Sequence, residues 1–122
     1  MDTIEEDDRV ITGNSVVDSK KGWFVGDFFD HEKDGLRATG DVEIKWGIHP
    51  KGDERLDWVT GETRTTVSIL VSGKFKEIFR KKEVVMLKPG DFCMWGRGSD
   101  HRWVALEDSV VITVRWPSIK IF

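Results

Sequence analysis

Apolar and polar residues alternate along much of this chain. Residues 41–49 set Val42, Ile44, Trp46 and Ile48 on one face and Glu43, Lys45 and His49 on the other, the period of an extended strand rather than a helix. Residues 110–116 repeat the pattern, with Val110, Ile112, Val114 and Trp116 against Val111, Thr113 and Arg115. Further strands are predicted over 22–29, 65–79, 83–88 and 91–95, the long one dividing at a turn over Ser72, Gly73 and Lys74. Glycines at 35, 40, 47, 52, 61, 73, 90, 96 and 98 cut the chain into short segments. No window of about a dozen residues holds a helical apolar stripe between two caps. Short strands with turn signals at roughly ten-residue intervals predict an all-β fold, an antiparallel sandwich or barrel. His49 ends its strand on the face opposite Ile44, Trp46 and Ile48, so it is expected to meet solvent or a loop. His31 falls in a polar loop and is expected to be exposed.

The two ends read differently from the middle. Residues 1–10 are mostly acidic and are expected to be disordered, leaving 11–122 as a single domain. After Pro117 the chain ends in an apolar tail, which is expected to pack on the barrel or on a neighbouring subunit. With 122 residues the chain makes one domain that buries roughly two-thirds of its unfolded surface, enough for a core without staples. A net charge of −3, with only the short basic runs Lys20-Lys21 and Arg80-Lys81-Lys82, argues against a nucleic-acid partner. No stretch has the length of a membrane span and no secretory signal is visible, so the expectation is a cytoplasmic protein with no membrane partner. The one cysteine, Cys93, has no partner for a disulfide or a Cys-x-x-Cys site and reads as a small buried apolar residue.

Two blocks of sequence give this strand pattern an identity. Residues 68–79 resemble the hairpin that closes the first motif of the cupin superfamily, with Gly73 as its turn glycine. Residues 87–103 resemble the second cupin motif: a Pro89-Gly90-Asp91 turn, a short strand, a bend through Gly96 and Gly98, then His101. The turn at 48–55 stands where a chain enters the first motif, and the likeness covers about residues 40–116. The resemblance implies a small antiparallel double-stranded β-helix, or jelly-roll, barrel.

It also implies where functional residues should stand. Metal-binding cupins carry two histidines and a glutamate in the first motif and a histidine in the second. Counted back from Gly73, the glutamate position is Thr66 and the histidine positions fall at Thr60 and Glu62; only His101 keeps a ligand type. Two ligands are too few for a stable first-row metal site, so no cofactor is expected. A divalent metal held in some other way would draw on His101, Glu62 and His49.

In a cupin barrel His101 and Trp103 point inward, as do Thr66, Ser68 and Leu70, while Val67, Ile69 and Val71 form an outward apolar row that suggests either a homodimer or a second covering layer from the same chain. Glu43, Lys45, Arg55, Glu62, Arg64 and Arg115 lie in or beside strands of apolar character, and buried charges of this kind must be paired. Arg115 would either fork onto Glu43 or Glu62 or await an anionic ligand. Of six tryptophans, Trp46, Trp58, Trp95 and Trp103 are placed near the barrel mouth, where they could wall a ring-shaped ligand.

The leading expectation is a barrel that binds a small organic molecule, anionic or sugar-like, through His101, Arg115, Glu62, Thr66, Glu43 and Trp103. The alternatives are an isomerase or epimerase using His101 as acid and base, with Glu62 or Asp100 orienting it, a metal-dependent enzyme, and a regulatory or structural module whose cavity is filled by its own side chains.

Overall fold

The computed structural model describes residues 10–119. Eight strands follow in order: β1 (Trp23–Val25), β2 (Glu43–His49), β3 (Thr65–Ser72), β4 (Phe75–Phe79), β5 (Lys82–Met86), β6 (Phe92–Trp95), β7 (His101–Ala105) and β8 (Ser109–Trp116), with one 3-10 turn at Gly35–Arg37. They form a five-stranded sheet, order β1-β2-β8-β3-β6, and a three-stranded sheet, order β5-β4-β7. All pairings are antiparallel. The segment before β3 lines the free edge of β7, where Arg55 N–H donates to Trp103 O and Val59 N–H to His101 O. The all-β antiparallel expectation therefore holds. Among the described residues no helix is long and apolar enough to cross a membrane. The acidic segment at 1–9 and the last three residues, 120–122, lie outside the described residues.

The expected hairpin at Gly73 is a corner instead. β3 belongs to the larger sheet and β4 to the smaller, and they do not pair with each other. Gly73 has φ +92°, and a Cβ there would stand 2.2 Å from the Asp108 carbonyl oxygen. Only glycine tolerates both the conformation and the contact. The β5–β6 turn is fixed by the Asp91 carboxylate, which accepts the Leu87 and Lys88 N–H groups, each at 2.9 Å.

Register stacks the inner side chains in rows across the larger sheet. Glu43, Arg115, Thr66 and Trp95 form one row, Lys45, Thr113, Ser68 and Cys93 the next, and Gly47, Val111 and Leu70 a third. Lining the smaller sheet are the rows Lys82-Phe79-His101, Val84-Glu77-Trp103 and Met86-Phe75-Ala105. The apolar core takes Leu70, Val111, Phe75, Met86 and Ala105, and continues to Cys93 and Trp95. A satellite of Phe28, Phe29 and Ala38 packs with Trp23. Ser118 ties the end of the chain to it, its hydroxyl accepting Asp27 N–H at 2.9 Å and its N–H donating to Gly40 O at 3.0 Å.

On β2 and β8 the alternation has the expected period, but the opposite side is buried. Glu43 is 1% exposed and Ile48 58% exposed. A polar row can face inward because its charges pair with one another, as the next section describes.

Candidate functional site

Four charged side chains meet at one end of the barrel. Arg64, just ahead of β3, lies beneath the end of the sheet and is buried. Its Nε and Nη2 donate to the two oxygens of Glu62 at 2.6 and 2.7 Å, a forked pair, and its Nη1 donates to Glu43. Arg115 on β8 stands directly across from Glu43 on β2 and donates to its second oxygen at 3.3 Å. The guanidinium of Arg115 also stacks 4.2 Å from the ring centre of Trp23. The Arg64 guanidinium holds the Glu62 carboxyl down at about 2. Burial lowers the Lys45 amine in the adjacent row, and neighbouring Arg115 adds to the effect.

His101 begins β7 and turns inward, its ring 4.8 Å from that of Trp95, which in turn meets Phe79 edge-on at 5.5 Å. Burial pushes the imidazole below its ordinary value. Its Nδ1 lies 3.2 Å from the Ser99 carbonyl oxygen. Neither expected orienting carboxylate hydrogen-bonds it: Asp100 pairs with Arg80 at 3.2 Å, and both oxygens of Glu62 are taken by Arg64. Trp103 also faces inward, but in the next row down, stacked on Phe75 at 5.4 Å.

His49 meets a loop, as one half of the expectation had it, but from the inner face and not the outer: Nδ1 lies 2.9 Å from Asp53 Oδ2 in the turn after β2, and its ring packs 4.6 Å from Trp103 and 5.1 Å from Phe75. The reason is the reversed face of β2, which carries Glu43, Lys45 and His49 inward together. It occupies the far end of β2 from Glu43, away from the row that ends in His101. One of the four tryptophans assigned to the mouth stands elsewhere: Trp46 is on the outer face of the larger sheet. Trp58, next to Val59 that bridges to His101, is covered by the guanidinium groups of Arg80 and Arg102, at 4.0 and 5.1 Å.

Sequence reasoning passed over Glu77. It shares its side of β4 with Phe75 and Phe79, and that parity was the available signal. The carboxyl is 2% exposed, opposite Trp103 on β7. Burial raises it to about 8, and the Ser68 hydroxyl offsets this in part by hydrogen bonding. At neutral pH it is a neutral acid and can donate a hydrogen bond. Four buried polar atoms have no partner among the described residues: Thr66 Oγ1, Glu77 Oε2, Trp95 Nε1 and Arg115 Nε. All four belong to inner rows, and three of them sit side by side on β8, β3 and β6.

Solved structures share this architecture. KdgF from a Halomonas species matches at TM-score 0.60 and 24% identity, over 66% of this chain and 74% of that one. A cupin-2 domain protein of Shewanella frigidimarina matches at TM-score 0.51 and 20% identity, over 65% and 72% of the two chains. A cupin superfamily protein of Desulfitobacterium hafniense matches at TM-score 0.56 and 12% identity, over 68% and 71%. The chain has the cupin fold. At the level of sequence no family model and no curated protein matches it.

A cupin barrel raises the question of a metal, and the residues at the ligand positions here do not fit one. Thr66 replaces the carboxylate, and Glu62 is bound on both oxygens by a guanidinium. His49 does not join His101 and Glu62; among the described residues no three His, Cys, Asp or Glu side chains gather as a ligand set. Two fixed positive charges, Arg64 and Arg115, hold the carboxylates that a cation would need. What this end of the cupin barrel offers is donors, not ligands.

Proposed function

We propose that the barrel binds a small organic anion through Arg115, Thr66 and Trp95, with His101 as a neutral polar wall and no resident divalent metal. The supporting observation is the row of three buried polar atoms without partners on neighbouring strands. An indole N–H and a guanidinium Nε–H can only donate, so the group they await is an acceptor. A buried donor left unpaired costs about 1–3 kcal/mol, which a bound oxygen would recover. Charge points the same way. Glu43 and Glu62 balance Arg64 and Arg115, and Lys45 in the next row, on which the Asp53 carboxylate also acts, adds a further amine near the site.

The ion pairs that engage Asp100 and Glu62 leave His101 without an orienting acid. This favours binding over acid–base catalysis by His101. The apolar outer face of the larger sheet supports the companion reading that two copies pair through it. A thermal-shift and calorimetric series with short carboxylates tests the central reading. Binding is expected to be insensitive to a chelator and to be lost in Arg115→Gln. Binding that survives this substitution, or that a chelator abolishes, would overturn it.

A further inference from the structure

The barrel is open along one side. β6 ends the larger sheet and β5 ends the smaller, and the two strands, joined through the turn at 87–91, do not pair with each other. Between these free edges runs a groove of about 680 Å³. Its bed is made by inward side chains, Phe79, Val84, Cys93 and Trp95, and its mouth carries the polar groups Arg80, Lys82, Ser99 and Asp100. The volume falls within the roughly 300–1,000 Å³ of small-molecule sites. Trp95 is the link to the binding row: it lines the groove, it is 7% exposed, and its indole N–H has no partner among the described residues.

We infer that this seam takes the apolar body of the ligand whose carboxylate meets Arg115, Thr66 and Trp95, so that the ligand class is an aryl or alkyl carboxylate rather than a sugar acid. This rests on the anion-binding reading above. Thr66 lies one strand from Trp95 and Arg115 two, about 5 and 10 Å across the sheet, so a headgroup in that row leaves its chain pointing to the seam. In the bed itself a sugar acid would set hydroxyls against Phe79, Val84 and Cys93, whose side chains offer them no good partner, the polar groups standing at the mouth. Methylene groups placed there gain from leaving water. At the mouth Arg80 is paired with Asp100, and Lys82 leaves one surplus cation to favour the approach of an anion.

The test compares acetate, octanoate and gluconate by NMR titration and calorimetry on the intact protein. Octanoate is expected to bind at least tenfold more tightly than acetate, gluconate no more tightly than acetate, and the octanoate shifts to include Val84, Cys93 and Met94. Val84→Phe, which fills the groove, should bring octanoate within threefold of acetate while leaving acetate unchanged. Val84→Ala, a milder change should the larger one fail to fold, should weaken octanoate severalfold and acetate not at all. Equal affinity for octanoate and gluconate, or octanoate binding indifferent to both Val84 variants, overturns the seam while leaving the anion site standing. No binding of any of the three carboxylates removes the anion site, and the seam inference with it.

Discussion

Glu77 and Arg64 show how much a single inward side chain decides here. The folded pKa of Glu77, about 8, lies above its unfolded value of 4.5. The folded protein therefore holds a proton that the unfolded chain releases, and this group's contribution is full below about pH 4.5 and declines up to about 8, by about 1.4 kcal/mol per pH unit. Glu77→Gln should flatten that decline and leave the variant more stable than the parent at pH 9. Urea denaturation at pH 5, 7 and 9 measures it, and parallel slopes for the two proteins would sink the assignment. Arg64→Ala should destabilise by about 3–5 kcal/mol, because it strands Glu43 and Glu62 without their shared partner. Adding Glu43→Gln should recover part of that loss, and chemical denaturation of both variants checks it. The network was legible in outline, since charged residues in apolar strands must pair. Arg64's central place in it was not, because strand parity says nothing of which loop residue reaches beneath a sheet. Glu77 was legible in principle: it alternates with Phe75 and Phe79, but lone glutamates in strands usually face water.

The strands themselves were read from period two, and their existence survives. Which side of each faces the core does not follow from polarity when the inner rows satisfy their own charges. β3 breaks the simple rule too, since Thr66 and Ser68 face inward with Leu70 while Val67 and Ile69 face out. Its sides follow from the cupin resemblance rather than from polarity. β2 was misread because Glu43 has Arg64 and Arg115. The β3–β4 link was misread for a different reason. A glycine turn between two strands has the same local signature whether the strands pair or part into two sheets. The corner makes a sharp prediction. Gly73→Ala must accept φ +92° and a Cβ 2.2 Å from backbone, whereas Gly52, at φ +88°, has nothing within 4 Å. Gly52→Ala should cost about 1–2 kcal/mol from conformation alone. Gly73→Ala should cost more than twice as much or prevent folding. Comparable midpoints in a denaturant titration would show that the corner relaxes freely.

Taken whole, the barrel wears its apolar residues on two sides of one sheet. The reversed faces of β2 and β8 put Ile44, Trp46, Ile112 and Val114 outside, in register with Val67 and Ile69 of β3 and with Phe92 and Met94 of β6. Phe92 is 65% exposed, Ile48 58% and Met94 53%. The outward row predicted from β3 is thus one strand of an apolar sheet face that is most exposed at β6, while residues 11–15 lie beside Trp46 and Ile112 at its other side. A second copy packed face to face would bury it, as two sheets pack in a sandwich. The surface is built on strands, so pairing should not require the chain to rearrange. Phe92→Lys places a charge on the β6 edge of that face, at a position that contributes little to the monomer's core. The expected outcome is a dimer for the parent and a monomer for the variant by sedimentation equilibrium, with monomer stability changed by less than about 1 kcal/mol. A parent that sediments as a monomer at high micromolar concentration defeats the reading outright. A variant that stays dimeric moves the interface off this sheet.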